Sequence, residues 1–304
     1  MRPGVLLVNL GTPAAPTPQA VRSYLAEFLS DPRVVRLPRL LWLPILYGIV
    51  LRTRPAKSAE KYAAIWSAEG SPLAVYTRKQ TEQLRRVLPD TGIEYAMRYG
   101  EPRVARALER LKGCDVTVLP LYPQYSESTT ESVADVLPPG TRMIRDFHDH
   151  PAYIGALAAN VRRHWDRHAR ARVTVFSFHG LPKRGGGEYQ RQCVATAGLL
   201  RNELGLDESA CRVTFQSRFG YAEWLQPYTE PALTDLARGG MKRVAVFCPG
   251  FVSDCLETLE EIGLTAKEKF LQAGGRELHL VPCLNDSPEW IAALAEIVNA
   301  RAGP

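Results

Sequence analysis

His179 is the residue whose type and position most directly suggest chemistry in this sequence. It follows an apolar run at residues 173–178 and precedes Gly180 and Pro182, which interrupt regular structure. The run has the length of a buried strand and is too short for a buried helix. Because ligands bind beyond the carboxyl ends of parallel strands, and because histidine titrates near neutral pH, His179 is a candidate base. The alternative is a histidine that only forms hydrogen bonds in a turn.

A row of carboxylates follows another apolar run. Asp254, Glu257 and Glu261 are spaced by three and four residues, so a helix over 254–273 would carry them on one face. Acidic residues also occur at helix amino termini and on solvated faces, because the helix dipole favours them there. This helix, however, would start at the same sheet edge as His179. The combination predicts a site for proton transfer or for handling a divalent metal.

The elements that must position these residues alternate between strand and helix. This alternation predicts an α/β protein with two Rossmann-like domains, each a four-stranded parallel sheet flanked by helices, and an active cleft between them. We expect the domains at residues 1–150 and 151–304, with the last helix a candidate for packing back on the first domain. The predicted strands are at 4–10, 93–98, 115–121 and 141–145, then at 173–178, 212–216, 243–247 and 278–281.

Composition and missing motifs exclude several function classes. The net charge of +6 suits an anionic ligand or an anionic membrane surface, but no dense basic run predicts nucleic-acid binding. The six cysteines form no C-x-x-C pair, which disfavours a zinc or iron–sulfur site of the usual spacing. There is no H-E-x-x-H, G-x-S-x-G, G-x-G-x-x-G or Walker pattern. The opening residues do not form a signal peptide, so we expect a cytoplasmic protein.

Residues 37–51 form an apolar segment between arginines. The segment is too short and too interrupted by proline to span a membrane. We predict a lip that touches a membrane surface or admits an apolar ligand, with a buried helix as the alternative. The expected lip residues are Leu40, Leu41, Trp42, Leu43, Ile45, Leu46 and Tyr47.

Aromatic side chains near several predicted strand ends indicate a broad, flat, apolar ligand. Arginines could pair with carboxylates at the edge of such a ligand. Core packing for the aromatics and surface solvation for the arginines remain the alternatives. The residues are Tyr99, Tyr122, Tyr125, Phe219, Tyr221, Trp224 and Phe251, with Arg52, Arg54 and Arg98.

Six motifs in order along the chain resemble the ferrochelatase family, closest to its short bacterial members. They are VNLGTP at 8–13, LPLYPQYSESTTES at 119–132, SFHGLP at 177–182, FQSRFG at 215–220, CPGFVSDCLETLEEI at 248–262 and CLNDSP at 283–288. The set spans nearly the whole chain, so it is far more specific than any one motif.

The resemblance implies insertion of Fe2+ into protoporphyrin IX to form protohaem. It assigns His179 as the histidine that receives pyrrole protons or binds the incoming metal, and Glu257 as its carboxylate partner. Asp254 and Glu261 continue an acidic row that also contacts metal, on a helix with a π-type turn. The implied macrocycle contacts are Leu10, Arg98, Tyr99, Tyr122, Trp224 and Phe251, with Arg52 and Arg54 meeting the propionates.

The same resemblance sets the expected cofactors and partners. Protoporphyrin IX and Fe2+ are substrates, no cofactor is tightly bound, and the chain lacks the cysteine-bearing extension that holds an iron–sulfur cluster in animal members. Membrane contact would be peripheral, and other enzymes of haem synthesis would be neighbours. Three alternatives remain: a ferrochelatase for coproporphyrin III, a non-catalytic tetrapyrrole-binding or haem-delivery protein on the same scaffold, and, more distantly, a chelatase for cobalt and sirohydrochlorin, which should have a more histidine-rich metal site.

Overall fold

The computed structural model describes residues 1–218, 220 and 222–300, which divide into two compact units. The first unit holds Met1–Tyr122, Ser126–Asp146 and, at the end of the described chain, residues from Val298. The second holds Pro123–Tyr125 and Phe147–Ile297. Two aromatic residues proposed above as ligand contacts, Phe219 and Tyr221, lie outside the described residues.

The first unit is built on a parallel sheet with β1 and β3 at its centre. Its strands are β1 (Arg2–Gly11), β2 (Gly92–Tyr99), β3 (Cys114–Pro120) and β4 (Arg142–Met143), in the order β2-β1-β3-β4. Its helices are α1 (Pro18–Ser30), α2 (Arg39–Ile45), α3 (Leu51–Ile65), α4 (Pro72–Val87), α5 (Val104–Arg110) and α6 (Ser132–Ala134), with π-helical turns at Leu46–Val50 and Glu127–Glu131.

The second unit repeats this architecture, which confirms the predicted α/β class with two four-stranded parallel sheets flanked by helices. Its strands are β5 (Val173–His179), β6 (Cys211–Gln216), β7 (Arg243–Phe247) and β8 (Glu277–Leu280), all parallel in the order β6-β5-β7-β8. Its helices are α7 (Pro151–Arg167), α8 (Gly187–Glu203), α9 (Thr229–Arg238), α10 (Lys267–Gln272) and α11 (Pro288–Ala300), with a 3-10 turn at Glu208–Ala210 and a π-helix at Glu257–Ala266.

The central strands are apolar on both faces because helices cover both sides of each sheet. Leu6, Leu7 and Val8 of β1 and Phe176 and Phe178 of β5 are completely buried. Burial of each such side chain contributes about 1.5–3 kcal/mol. The rigid strand β5 therefore fixes the position of the residue at its end, His179.

The predicted helix over 254–273 is wrong at its start and in its hydrogen-bond pattern. The π-helix begins at Glu257 and continues into α10, so Asp254 lies before it. The Asp254 backbone N–H donates a hydrogen bond to Oδ1 of the Asn285 side chain at 2.9 Å, not to a helical carbonyl. The π-type turn implied by the family resemblance is present.

The apolar segment at residues 37–51 folds as α2 and the π-turn that follows it. Trp42 and Leu46, expected on the lip, are instead buried against Leu29 and Leu51. Trp42 Nε1 also donates a hydrogen bond to the Leu29 carbonyl at 2.6 Å. The exposed apolar side chains are Leu37, Leu40, Leu41, Ile45, Tyr47 and Ile49. In the described part of the chain, no helix combines the length and the apolar character needed to cross a membrane.

Candidate active site

His179 is half-buried at the carboxyl end of β5, in register with Gln216 of β6. Its Nδ1 lies 2.7 Å from the carbonyl oxygen of Gly180. A carbonyl can only accept, so Nδ1 carries the ring hydrogen and Nε2 carries the lone pair. The structure therefore presents Nε2 as the basic atom of His179.

Gly180 is required where β5 approaches the end of β6. Its N–H donates to the Gln216 carbonyl at 2.8 Å, and a Cβ on Gly180 would lie 2.6 Å from that oxygen. The Gln216 side chain connects the same region to the π-helix, since Nε2 donates to the Glu257 carbonyl at 2.7 Å. Oε1 of Gln216 accepts from the Ser177 hydroxyl at 2.6 Å. These bonds fix His179 and Glu257 to one framework.

Glu261 is held by Ser217 through both carboxylate oxygens. The Ser217 N–H and hydroxyl donate to Oε1 and Oε2, each at 2.6 Å. Ser217 has φ 64, a left-handed conformation that costs a non-glycine residue free energy. Burial raises the pKa of Glu261, whereas the Ser217 hydrogen bonds and the charge of His179 oppose this rise and the charge of Glu257 adds to it. The net pKa is raised, and the three titratable groups interact.

Glu257 is half-buried in the first turn of the π-helix, beside the buried Cys255. Burial raises the pKa of the Cys255 thiol, and the charge of Glu257 and a hydrogen bond to it raise the pKa further. The thiol therefore stays protonated and is not a thiolate ligand.

Asp254 is held by Thr258 and by two residues that follow β8. Its Oδ1 accepts from the Thr258 hydroxyl at 3.0 Å and from the Cys283 N–H at 3.3 Å. Its Oδ2 accepts from Asn285 Nδ2 at 2.7 Å. The side chain is 5 % exposed. These bonds anchor Asp254, which precedes the π-helix, to the segment after β8, so of the predicted acidic row only Glu257 and Glu261 lie on the π-helix.

Two aromatic residues border His179. The Phe251 ring centroid lies 6.4 Å from that of His179, and Phe251 is half-buried in the loop after β7. Trp224 pairs with Pro182 through the backbone, and its Cε3 would lie 3.2 Å from a Cβ on Gly180. Both predicted macrocycle contacts in this unit therefore lie near the imidazole.

In the first unit, Arg98 and Tyr99 end β2 and share one partner, Asp31. Arg98 Nη2 and the Tyr99 hydroxyl donate to Oδ2 of Asp31 at 2.5 and 2.9 Å. Arg98 Nε also donates to the Ser132 carbonyl at 2.6 Å. The Arg98 side chain is 13 % exposed and that of Asp31 is 7 % exposed. Arg98 is thus a fixed cation with limited access to ligand.

The remaining predicted contacts of the first unit differ in exposure. Leu10 is half-buried at the end of β1, and the Tyr122 hydroxyl is buried with no hydrogen-bond partner among the described residues. Burial raises the pKa of Tyr122 well above the usual tyrosine value, so its hydroxyl stays protonated. Arg52 and Arg54 are exposed on α3. Leu10, Arg98, Tyr99 and Tyr122 lie at or beyond the carboxyl ends of their strands.

Comparison with known proteins identifies the family. The family model for ferrochelatase matches residues 2–302. The chain belongs to the ferrochelatase family. It is 54 % identical to the ferrochelatase of Aromatoleum aromaticum, with 99 % of this chain and 88 % of that protein covered. It is 53 % identical to the ferrochelatase of an Azoarcus species over the same shares of the two chains.

Solved structures show the same fold at low sequence identity to this ferrochelatase family member. SirB from Bacillus subtilis, solved with Fe3+, has a TM-score of 0.60 and 11 % identity, covering 100 % of this chain and 96 % of that one. CbiX, the terminal enzyme of sirohaem biosynthesis in denitrifying bacteria, has a TM-score of 0.53 and 15 % identity over 98 % of both chains. These likenesses support the two-domain α/β architecture.

Three residues that bind the predicted site residues were missed by sequence reasoning: Gln216 and Ser217 in the second unit and Asp31 in the first. The first two lie inside the FQSRFG motif, so the motif offered a signal that was not used. Asp31 follows α1 and has no motif of its own, and its partner Arg98 is distant in sequence. Only the folded chain identifies that pair.

Proposed function

We propose that this member of the ferrochelatase family inserts Fe2+ into protoporphyrin IX, forming protohaem and releasing the two inner N–H protons of the macrocycle. The observation that carries the proposal is the placement of His179, whose Nε2 lone pair is set by the bond between Nδ1 and the Gly180 carbonyl. A general base of this kind removes protons from the pyrrole nitrogens as the metal enters.

In this proposal, Glu257 and Glu261 help His179 to bind Fe2+ transiently and to remove protons. Glu257 and Glu261 interact electrostatically, and Glu261 with His179 as well. Fe2+ is a substrate that must leave the protein, so a few oxygen and nitrogen ligands suit it better than a thiolate cluster. We assign transient Fe2+ contact and proton removal to His179, Glu257 and Glu261. Asp254, also predicted as a metal ligand, acts by anchoring the π-helix.

The residues proposed to contact the macrocycle supply either apolar surface or positive charge. Leu10, Tyr122, Trp224 and Phe251 provide apolar or aromatic surface, and Tyr99 supports Arg98 through Asp31. Arg52 and Arg54 are exposed cations suited to propionates. The enzymes that supply protoporphyrin and accept protohaem are the expected neighbours.

No tightly bound cofactor is part of the proposal, and an iron–sulfur cluster is not expected. Burial raises the pKa of Cys193, Cys248, Cys255 and Cys283, which keeps these thiols protonated. Cluster ligation requires thiolates. An iron–sulfur absorption band in anaerobically purified protein would contradict this expectation.

The test is a steady-state assay of Fe2+ insertion with protoporphyrin IX and with coproporphyrin III. We expect higher kcat/KM for protoporphyrin IX, and we expect Glu257→Gln to lower kcat for that substrate. Preference for coproporphyrin III would replace the proposed substrate with the four-propionate porphyrin. Tight porphyrin binding without turnover of either substrate would favour the tetrapyrrole-delivery function.

We also propose that the exposed apolar side chains around α2 contact an anionic membrane surface. Leu40 is 91 % exposed and Leu41 is 64 % exposed, while Trp42 of the same helix is buried. Arg52 and Arg54 are exposed nearby in sequence. Apolar side chains beside cations are typical of interfacial helices.

Leu40→Ser with Leu41→Ser is expected to weaken binding to anionic vesicles at least tenfold. Each leucine loses the roughly 1.5–3 kcal/mol available from full burial in the lipid interface. Co-sedimentation with phosphatidylglycerol vesicles measures the effect. Val194→Ser, which changes a 52 % exposed apolar residue elsewhere, is the matched control and should bind as wild type does. Equal binding of all three proteins, or no binding by wild type, would contradict the proposal.

A further inference from the structure

Three of the six histidines gather at a place that the proposed function does not use. His164 lies in the last turn of α7, His168 caps that helix, and His279 lies on the edge strand β8. One ligand nitrogen from each ring lies within 4.8 Å of the other two. The ring centroids of His168 are 4.5 Å from His164 and 4.9 Å from His279.

The geometry points to a binding site for a divalent transition metal, formed by His164, His168 and His279. Around a tetrahedral ion with bonds of about 2.0–2.1 Å, ligand nitrogens lie roughly 3.3 Å apart. The rings need only a small side-chain adjustment from their present separation to reach this value. Three imidazoles leave a fourth position for water, and they favour Zn2+, Fe2+ or Co2+ over the oxygen-preferring Mg2+ and Ca2+.

A carboxylate beside the cluster orients one of the three rings. Oε2 of Glu277 lies 3.1 Å from Nε2 of His279, and the guanidinium of Arg243 donates to both oxygens of Glu277 at 2.7 and 3.2 Å. The bond to Glu277 leaves Nδ1 of His279 as the ligand atom. A carboxylate behind a ligating histidine fixes its tautomer and raises its basicity.

Exposure also suits a metal ion. His168 is exposed and the His279 side chain is 25 % exposed, whereas His164 is half-buried. An ion can therefore enter from solvent and reach the more buried ring of His164.

The cluster is separate from the residues assigned to Fe2+ insertion. His279 is in register with Ala245 of β7, and Val244 is in register with Val173 of β5. His179 is therefore about five residues farther along the sheet, or roughly 16 Å at about 3.3 Å per residue. It is also two strands away. The inference does not depend on the proposed function, because it uses none of the same side chains.

A bound ion would connect the end of α7 to β8 and stabilise the second unit. The test is Zn2+ titration of the full chain by calorimetry, with Co2+ absorption as a second reading. We expect His168→Ala and His279→Ala each to weaken binding of one ion by at least the roughly 10–100-fold typical for loss of an outer-shell partner. Zn2+ should raise the melting temperature of wild type but not of either variant.

Two further variants test whether the ion binds at this histidine cluster and not at another imidazole. His179→Ala should retain the ion, since it removes an imidazole of the substrate site only. His150→Asn is the matched control because it removes another imidazole while keeping an acceptor for the Ala152 N–H, which His150 Nδ1 now caps at 3.3 Å. Wild-type Zn2+ affinity in both His168→Ala and His279→Ala would overturn the inference. So would loss of the ion in His179→Ala.

Discussion

His179→Ala is expected to lower kcat for Fe2+ insertion into protoporphyrin IX by about 10²–10⁴-fold, the range for loss of a general base. The Nε2 lone pair disappears with the ring, and no other imidazole lies at the carboxyl end of β5 among the described residues. The KM for porphyrin should change little, because the apolar contacts remain. Steady-state fluorescence of porphyrin consumption measures both constants.

His150→Asn supplies the control for this experiment, since it removes an imidazole from the start of α7 and should retain wild-type kcat. Quenching of tryptophan fluorescence by porphyrin verifies that each variant still binds substrate. A wild-type kcat in His179→Ala would remove His179 from the reaction, and the carboxylates would then be the only proton acceptors of the proposal.

The position of His179 could be predicted because it depends on local sequence and one general rule. An apolar run of this length is a buried strand, and the edge where parallel strands end is where ligands bind. The structure places His179 at the end of β5 for these reasons. Gly180 was read only as an interruption of the strand. Its stronger requirement, the close approach to the Gln216 carbonyl, depends on pairing with a strand far away in sequence.

The acidic row was predicted less well because spacing alone does not report hydrogen bonding. Spacings of three and four residues place side chains together on an α-helix, but this segment is a π-helix that begins after Asp254. Asp254 accepts hydrogen bonds from Asn285 and Cys283, residues that follow β8. A pattern of periodic residues cannot reveal a competing partner about thirty positions later.

In the segment at 37–51, the sequence pattern also failed to show which side chains are buried. Its composition predicts an apolar surface, and Leu40 and Leu41 are indeed exposed. Trp42 is buried, and its indole N–H donates a hydrogen bond to the Leu29 carbonyl near the end of α1. Since almost every residue of this segment is apolar, periodicity could not distinguish the buried side chains from the exposed ones.

Glu261→Gln is expected to change how stability depends on pH. Burial raises the pKa of Glu261 in the folded protein above its ordinary value of 4.5, so the folded state binds this proton more tightly than the unfolded chain does. The resulting stabilisation is complete below pH 4.5 and is lost as pH rises through the folded pKa. Glutamine does not titrate, so the variant should gain stability relative to wild type as pH rises above 4.5.

Urea denaturation at several pH values measures this difference, with about 1.4 kcal/mol expected for each unit by which the folded and unfolded pKa values differ. Glu296→Gln, an exposed change in the same unit, should give a curve parallel to that of wild type. Ser217→Ala removes a hydrogen bond that lowers the pKa of Glu261, so it should steepen the loss of stability with rising pH. Parallel curves for wild type and Glu261→Gln would show that Glu261 titrates normally.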